Sequence, residues 1–194
     1  GTNNFPDCSN LCHESSGTAM NASIGVGKGT VLLDDFQKAD AIFVIGQNPG
    51  TNHPRMLTEL QHARARGAEI VSINPLVERG LESFLHPQDV GPMITGKSSP
   101  ISSLYLQPLI GGDLAVIKGL IKHVLAAEAS DPGNVLDHAF MAEHTSGFDA
   151  LQADIEATPW EDIERESGLT TAKILEAANV FIQAKSVIIC WAMG

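Results

Sequence analysis

The feature that most narrows the fold lies between Ala41 and Pro75. The run "AIFVIG" (41–46) is unbroken in its apolar character, rich in β-branched residues, and of strand length. A strand wetted on one face alternates apolar with polar side chains. A continuous run instead suits a strand covered on both faces, as in a parallel sheet flanked by helices. A turn cluster, "QNPGTNHP", follows, and then "RMLTELQHARARG" (55–67) sets Met56, Leu57, Leu60 and Ala63 on one helical stripe, with Gly67 placed to end the helix. "AEIVSINP" (68–75) is a second two-sided strand. Strand, helix and strand make a βαβ unit, whose crossover is right-handed in nearly all proteins.

The remainder of the chain repeats the alternation. Residues 1–30 read as loop-like and rich in Gly, Ser and Asn, with a short helix over 15–24, and residues 32–40 as a helical turn feeding the first strand. The Gly/Ser/Pro-rich stretch 91–103 reads as a surface excursion, and "LYLQPLI" as a third strand. A long helix starts at Gly111–Asp113, with Asp113 as its N-cap and Leu114, Ile117, Leu120, Ile121, Val124 and Leu125 as its apolar repeat. Further helices are expected over 135–143, 148–157 and 170–184, and a last strand over Val187–Trp191. This order predicts the α/β class: a three-layer α/β/α sandwich around a mostly parallel sheet, with residues 1–194 forming one domain.

Composition excludes several roles. With 12 basic against 23 acidic residues the formal net charge is −11, so the surface repels a phosphate backbone and nucleic acid is not an expected partner. No apolar run reaches the roughly 18–20 residues that span a bilayer, so no membrane insertion is expected. Three cysteines, Cys8, Cys12 and Cys190, do not make a disulfide framework, which points to a reducing, cytoplasmic setting. They lack the paired spacings of a structural zinc site. The first residues carry no Met and no charged leader, so the chain reads as an excised piece of something longer.

In parallel α/β sheets ligands gather outside the carboxyl ends of the strands. At the first strand's exit stand Gly46, Gln47, Asn48, Pro49, Gly50, Thr51, Asn52 and His53. The glycines let a backbone approach a ligand, and the neutral side chains and following helix start can donate to an anion. An Asn/Gly turn with no ligand fits the same residues. Asn74 and Pro75 end the second strand, where a side chain can bind a ribose or simply start a turn. Gly111, Gly112 and Asp113 open the long helix, and Trp191 and Met193 read as core or interface residues. Cys12 and His13 are adjacent in a small-residue stretch near the start. A thiolate there can be a nucleophile, a redox thiol or a metal ligand, and the imidazole can take a proton near neutral pH. Neighbours in sequence rarely have the geometry to be nucleophile and base to one another, so a metal-bound thiolate with an adjacent proton acceptor fits better. Cys8 is expected to be buried and inert. A stand-alone NAD-type nucleotide-binding module and a cysteine-dependent hydrolase remain the alternatives.

Five stretches, in order, resemble the alpha subunits of molybdopterin-dependent oxidoreductases of the formate-dehydrogenase-like branch. "NNFPDCSNLCHE" looks like the segment in which the metal-ligating cysteine or selenocysteine precedes a histidine. "ADAIFVIGQNPGTNHP", "GAEIVSINP" and "GGDLAVIKGLIKHVL" look like the family's dinucleotide-holding strand and loop, its next strand, and its Gly-rich helix start. "AKSVIICWAMG" is similar to the strand that ends Trp-Gly-Met-Gly. The resemblance implies that Cys12 ligates molybdenum or tungsten and that His13 accepts or relays a proton as formate is oxidised. It implies that Gly46–His53, Asn74, Pro75, Gly111, Gly112, Asp113, Trp191, Met193 and Gly194 hold a molybdopterin guanine dinucleotide, two of which serve each full subunit. It also implies an electron-transfer partner, and a 4Fe-4S cluster in a region outside these residues. Asn74-Pro75-Leu76 stands where formate dehydrogenases commonly have Asp-Pro-Arg.

Overall fold

The computed structural model describes residues 1–4 and 8–191, without the side chain of Leu11. Two helices, α1 (Cys8–Cys12) and α2 (Glu14–Ile24), precede a 3-10 turn at Leu33–Gln37. Residues 1–30 are therefore more helical than their composition predicts. Then come β1 (Ala41–Ile45), a one-turn α3 (Pro49–Asn52), α4 (Pro54–Ala65) and β2 (Glu69–Ile73). The next stretch holds α5 (Arg79–Glu82), β3 (Ser83–Phe84), α6 (Val90–Thr95), β4 (Ser99–Pro100) and β5 (Leu104–Leu106). Last come α7 (Asp113–Ser130), α8 (His138–His144), α9 (Phe148–Ala157), α10 (Trp160–Ser167), α11 (Thr171–Gln183) and β6 (Val187–Trp191).

Four strands form one parallel sheet in the order β5-β2-β1-β6. The alternation of side chains along each strand divides the core in two. Ile42, Val44, Ile70 and Ile188 face Phe36, Leu57, Leu60, Ala63 and Leu81 on one side. Ala41, Phe43, Val71, Ile73 and Leu106 face Val116, Leu120, Ile163, Ile174 and Ala177 on the other. This is the three-layer α/β/α sandwich expected, and it explains why β1 and β2 read as unbroken apolar runs: both of their faces are dry. The stripe of α4 is also as expected, with Leu57, Leu60 and Ala63 buried.

Three elements differ from the sequence reading. The 91–103 stretch is no plain excursion: it holds α6, its β4 pairs antiparallel with β3, and Ile101 is fully buried in the first core. Helix α7 buries Ala115, Val116, Gly119 and Leu120, while Leu114 is 68% exposed. The reason is Gly119. A Cβ there would lie 2.8 Å from Cγ2 of Ile174 and 3.2 Å from Cγ2 of Ile163, so the helix presents its small face to α10 and α11. Helix α10, unforeseen in "WEDIERES", is carried by Ile163 alone among its large apolar side chains being fully buried.

Candidate active site at the carboxyl edge of the sheet

From β1 the chain steps to β2 and β5 along one side, then returns over the other face to β6, on the opposite flank of β1. The strand order reverses between β1 and β6, and the crevice outside their carboxyl ends is where such sheets bind ligands. Three separate pieces of chain meet there. The side-chain amide of Gln47, in the loop after β1, donates to the Trp191 carbonyl at 3.3 Å. The Trp191 indole N–H donates to the Ser16 hydroxyl at 3.1 Å. Ser16 lies in α2, roughly one helical turn beyond Cys12. Cys12 closes α1 half-buried, and His13 is the exposed hinge residue between the two helices, its N–H donating to the Ser9 carbonyl. The start of α2, which follows α1 in the chain, is thus tied to the end of β6, and Cys12 belongs to neither core.

The loop after β1 is held by its own residues. Gly46 takes a φ of 65°, and its N–H continues the β1–β2 ladder to the Ile73 carbonyl at 2.8 Å. Asn48 caps α3, its side-chain oxygen accepting from Thr51 N–H at 3.2 Å, and Pro49 follows as the first helical residue. Gly50 packs on Gly80 of α5: a Cβ on Gly80 would stand 3.0 Å from the Gly50 Cα. These glycines bring two short helices together. Thr51, Asn52 and His53 remain exposed. Asn74 is buried, and both ends of its amide are engaged. It donates to the Gln47 carbonyl at 3.1 Å and accepts from Leu76 N–H at 3.1 Å, while its backbone N–H reaches the Leu106 carbonyl at 3.0 Å. One residue therefore ties the exits of β1, β2 and β5. Pro75 accepts from Gln107 at 3.2 Å.

At the exit of β5, Gly111 needs its φ of 84°, and Gly112 needs its missing side chain. A Cβ at Gly112 would meet the Glu166 carbonyl oxygen at 2.8 Å and the Ser167 Cα at 2.9 Å. Gly112 is the N-cap of α7. Asp113 is its first helical residue, and the cap expected from its side chain is not formed. No described side chain caps this helix, so its first turn presents amide hydrogens beside the Asp113 carboxylate at the strand ends. Leu76, Val77, Leu109, Ile110 and Leu114 give this half of the edge an apolar surface, Ile110 being 93% exposed.

Polarity sorts the other groups. Among the described residues, the Gln47 side-chain oxygen is buried and has no hydrogen-bond partner. Cys190, on β6, packs against the first core, and burial pushes its thiol up to about 11. Cys8 is exposed, not buried as the sequence reading has it, because α1 packs into neither core. None of the three cysteines forms a disulfide, and no cluster of three or more His, Cys, Asp or Glu side chains forms among the described residues. Trp191 is half-exposed at the edge and belongs to neither core. Met193 and Gly194 lie outside the described residues. The sequence reading missed Ser16 and Gly80. The serine's one signal was its spacing from Cys12, and the glycine had none, since its partner is distant in the chain.

Fold and edge together define an α/β protein of the kind that places a ligand across the tips of a parallel sheet. No protein-family model matches the chain. It is 50% identical over 198 residues to Protein YdeP of Escherichia coli K12, covering all of this chain and 26% of that protein. It is 44% identical over 194 residues to the oxidoreductase Rv2900c of Mycobacterium tuberculosis, covering 25% of it. Formate dehydrogenase H of Escherichia coli K12 is 28% identical over 194 residues, again across the whole chain and 24% of that enzyme. Among solved structures, acetylene hydratase from Pelobacter acetylenicus superposes with a TM-score of 0.68 at 19% identity, over 93% of this chain and 21% of that one. That last likeness is one of fold. The resemblance drawn from the sequence holds: from end to end the chain is similar to a protein named as an oxidoreductase and, at 28% and 29% identity, to two formate dehydrogenases. It spans about a quarter of the length of these relatives.

Proposed function

We propose that residues 1–194 are a cofactor-binding domain within a longer catalytic subunit of a molybdopterin-dependent oxidoreductase. The whole protein then carries out a formate-dehydrogenase-like two-electron oxidation of a small substrate. The observation that carries this reading is the meeting of the Cys12 arm, Trp191 and Gln47 where the strand order reverses. The formate dehydrogenase relatives, aligned over the whole chain, support it.

The residues at the edge fit such a group. A buried Gln47 oxygen lacks a partner among the described residues, α7 begins without a side-chain cap, and a half-buried thiol stands beside an exposed imidazole. Cys12 would supply a soft sulfur ligand, the kind that suits molybdenum or tungsten. When bound, the metal and its pterins, two guanine dinucleotides per full subunit, supply the two-electron redox chemistry. The chain supplies the rest. His13, exposed, would take the substrate's proton on its imidazole. Gln47, Thr51, Asn52 and His53 line the loop toward the dinucleotide, with Gly46, Asn48, Gly50, Asn74 and Pro75 holding that loop in place. Gly111 and Gly112 set the start of α7, and the Asp113 carboxylate would accept from the dinucleotide's base. Trp191, at the end of β6, would contact the dinucleotide, as would Met193 and Gly194, which lie outside the described residues. The remainder of the subunit, a 4Fe-4S cluster outside these residues, and an electron-transfer partner complete the enzyme, which works in the cytoplasm. No helix among the described residues is long and apolar enough to cross a membrane.

The test is metal and pterin analysis of the longer polypeptide, followed by assay with formate and a dye acceptor. Cys12→Ala is expected to lose bound metal. His13→Gln is expected to keep the metal and lower turnover roughly 100-fold or more, the scale of one proton-transfer group. Full metal content and activity in Cys12→Ala would end the ligand assignment.

A further inference from the structure

The arm that carries Cys12 joins neither core. Among the described residues 1–4, 8–10 and 12–33, not one is fully buried, across two helices and the loop beyond them. Yet the arm does not have the composition of a solvated tail, which is rich in charge and poor in large apolar residues. Its first 33 residues contain only three acidic or basic side chains, Asp7, Glu14 and Lys28, in a chain of net charge −11. Five of its large apolar side chains stand in water: Leu32 is 74% exposed, Leu33 60%, Ile24 55%, Val31 46% and Val26 42%. Helix α2 has 11 residues, below the roughly 12–15 at which a helix holds on its own in water. Such a surface requires a cover.

We infer that the arm is the clasp by which this segment joins the remainder of its own polypeptide, an apolar surface of that remainder seating on Ile24, Val26, Val31, Leu32 and Leu33. The inference rests on the reading of the chain as part of a longer subunit and does not depend on the role given to Cys12. The chain covers 26% of the length of a relative it matches end to end, so most of such a polypeptide lies outside it and is available as the occupant. A second copy fits less well, because two bodies each of net charge −11 repel. The clasp also gives the Cys12 helix a fixed place. Held by the Ser16–Trp191 contact on one side and by the remainder on the other, α2, which follows it, is pinned beside the end of β6.

Hydrogen–deuterium exchange on the 194-residue chain and on the longer polypeptide tests this. Peptides spanning 14–33 are expected to exchange at least about 10-fold more slowly in the longer polypeptide, while β1 and β2 are unchanged. The double variant Ile24→Ser, Leu32→Ser should leave the melting temperature of the short chain within about 2 °C and lower that of the longer one by roughly 5 °C or more. Equal exchange in both proteins, or equal effects of the variant on both, overturns the inference. So does a dimeric short chain whose arm is already protected, which would make a second copy the occupant. Metal analysis separates the two ideas. An arm protected in a metal-free polypeptide removes the cofactor reading alone, and a metal-loaded polypeptide with an unprotected arm removes this one alone.

Discussion

Gly112 tests whether a glycine at a strand exit is there for a ligand or for the protein itself. Replace it with Ala. The new Cβ would stand 2.8 Å from the Glu166 carbonyl oxygen, 2.9 Å from the Ser167 Cα and 3.0 Å from the Leu109 carbonyl oxygen. All three are backbone atoms, fixed where α10 ends and α7 begins, and the Leu109 N–H is bonded to the Ser167 carbonyl at 2.8 Å. No side chain can swing aside, so the overpacking costs about 1–3 kcal/mol. Ala is also a poorer N-cap than Gly, which adds roughly 0.5–1 kcal/mol of the same sign. Together these lower the melting temperature by roughly 5–15 °C in a chain of this size. Gly111 is the control. Its φ is 84° but nothing lies within 4 Å of a Cβ there, so the restraint is conformational only. Gly111→Asn, a residue that tolerates the left-handed region, should cost about 1 kcal/mol or less. Thermal unfolding by circular dichroism, with no cofactor present, ranks the two. A Gly112→Ala chain that melts within about 2 °C of the parent, or below which Gly111→Asn falls, refutes the packing argument.

Three further outcomes are expected. In Gly119→Ala, better helix propensity gains about 1 kcal/mol, but the 2.8 Å approach to the Ile174 Cγ2 costs more, so the variant melts lower, and Ile174→Leu, which removes that methyl, restores part of the loss. Glu128 accepts from the N–H groups of Gly133, Val135 and Leu136 and pairs with His138 at 2.7 Å, and the bond to Gly133 leads in holding its carboxyl at about 2, below the usual 4.5. A depressed acid stabilises the fold above its unfolded value and loses that effect as pH falls, so Glu128→Gln should reduce stability at neutral pH and flatten the decline between about pH 4.5 and 2; parallel pH profiles in urea unfolding would count against it. At pH 8, iodoacetamide should label Cys190 far more slowly than Cys8, because burial raises its pKa from 9.0 to about 11 and so lowers its thiolate fraction on the order of 100-fold; equal labelling by mass spectrometry contradicts the burial argument.

The chain by itself determined what short-range chemistry can determine. Apolar runs without alternation made β1 and β2 two-sided strands, a single stripe made α4, and the order of elements made a parallel three-layer sheet. The list of strand-exit residues was legible for the same reason: once the strands are known, their ends are known. Tertiary structure alone decided how those residues are used. It turned Leu114 to solvent because Gly119 lets α7 settle on α10 and α11. It engaged the Asn74 amide at both ends within the protein, and it left Cys8 exposed on an arm that packs into neither core. It also brought Trp191 to Ser16, 175 positions away, so that α2 meets the end of β6. Periodicity records which face of an element avoids water. It does not record which partner covers that face, because that depends on the distances at which whole helices and strands can approach one another.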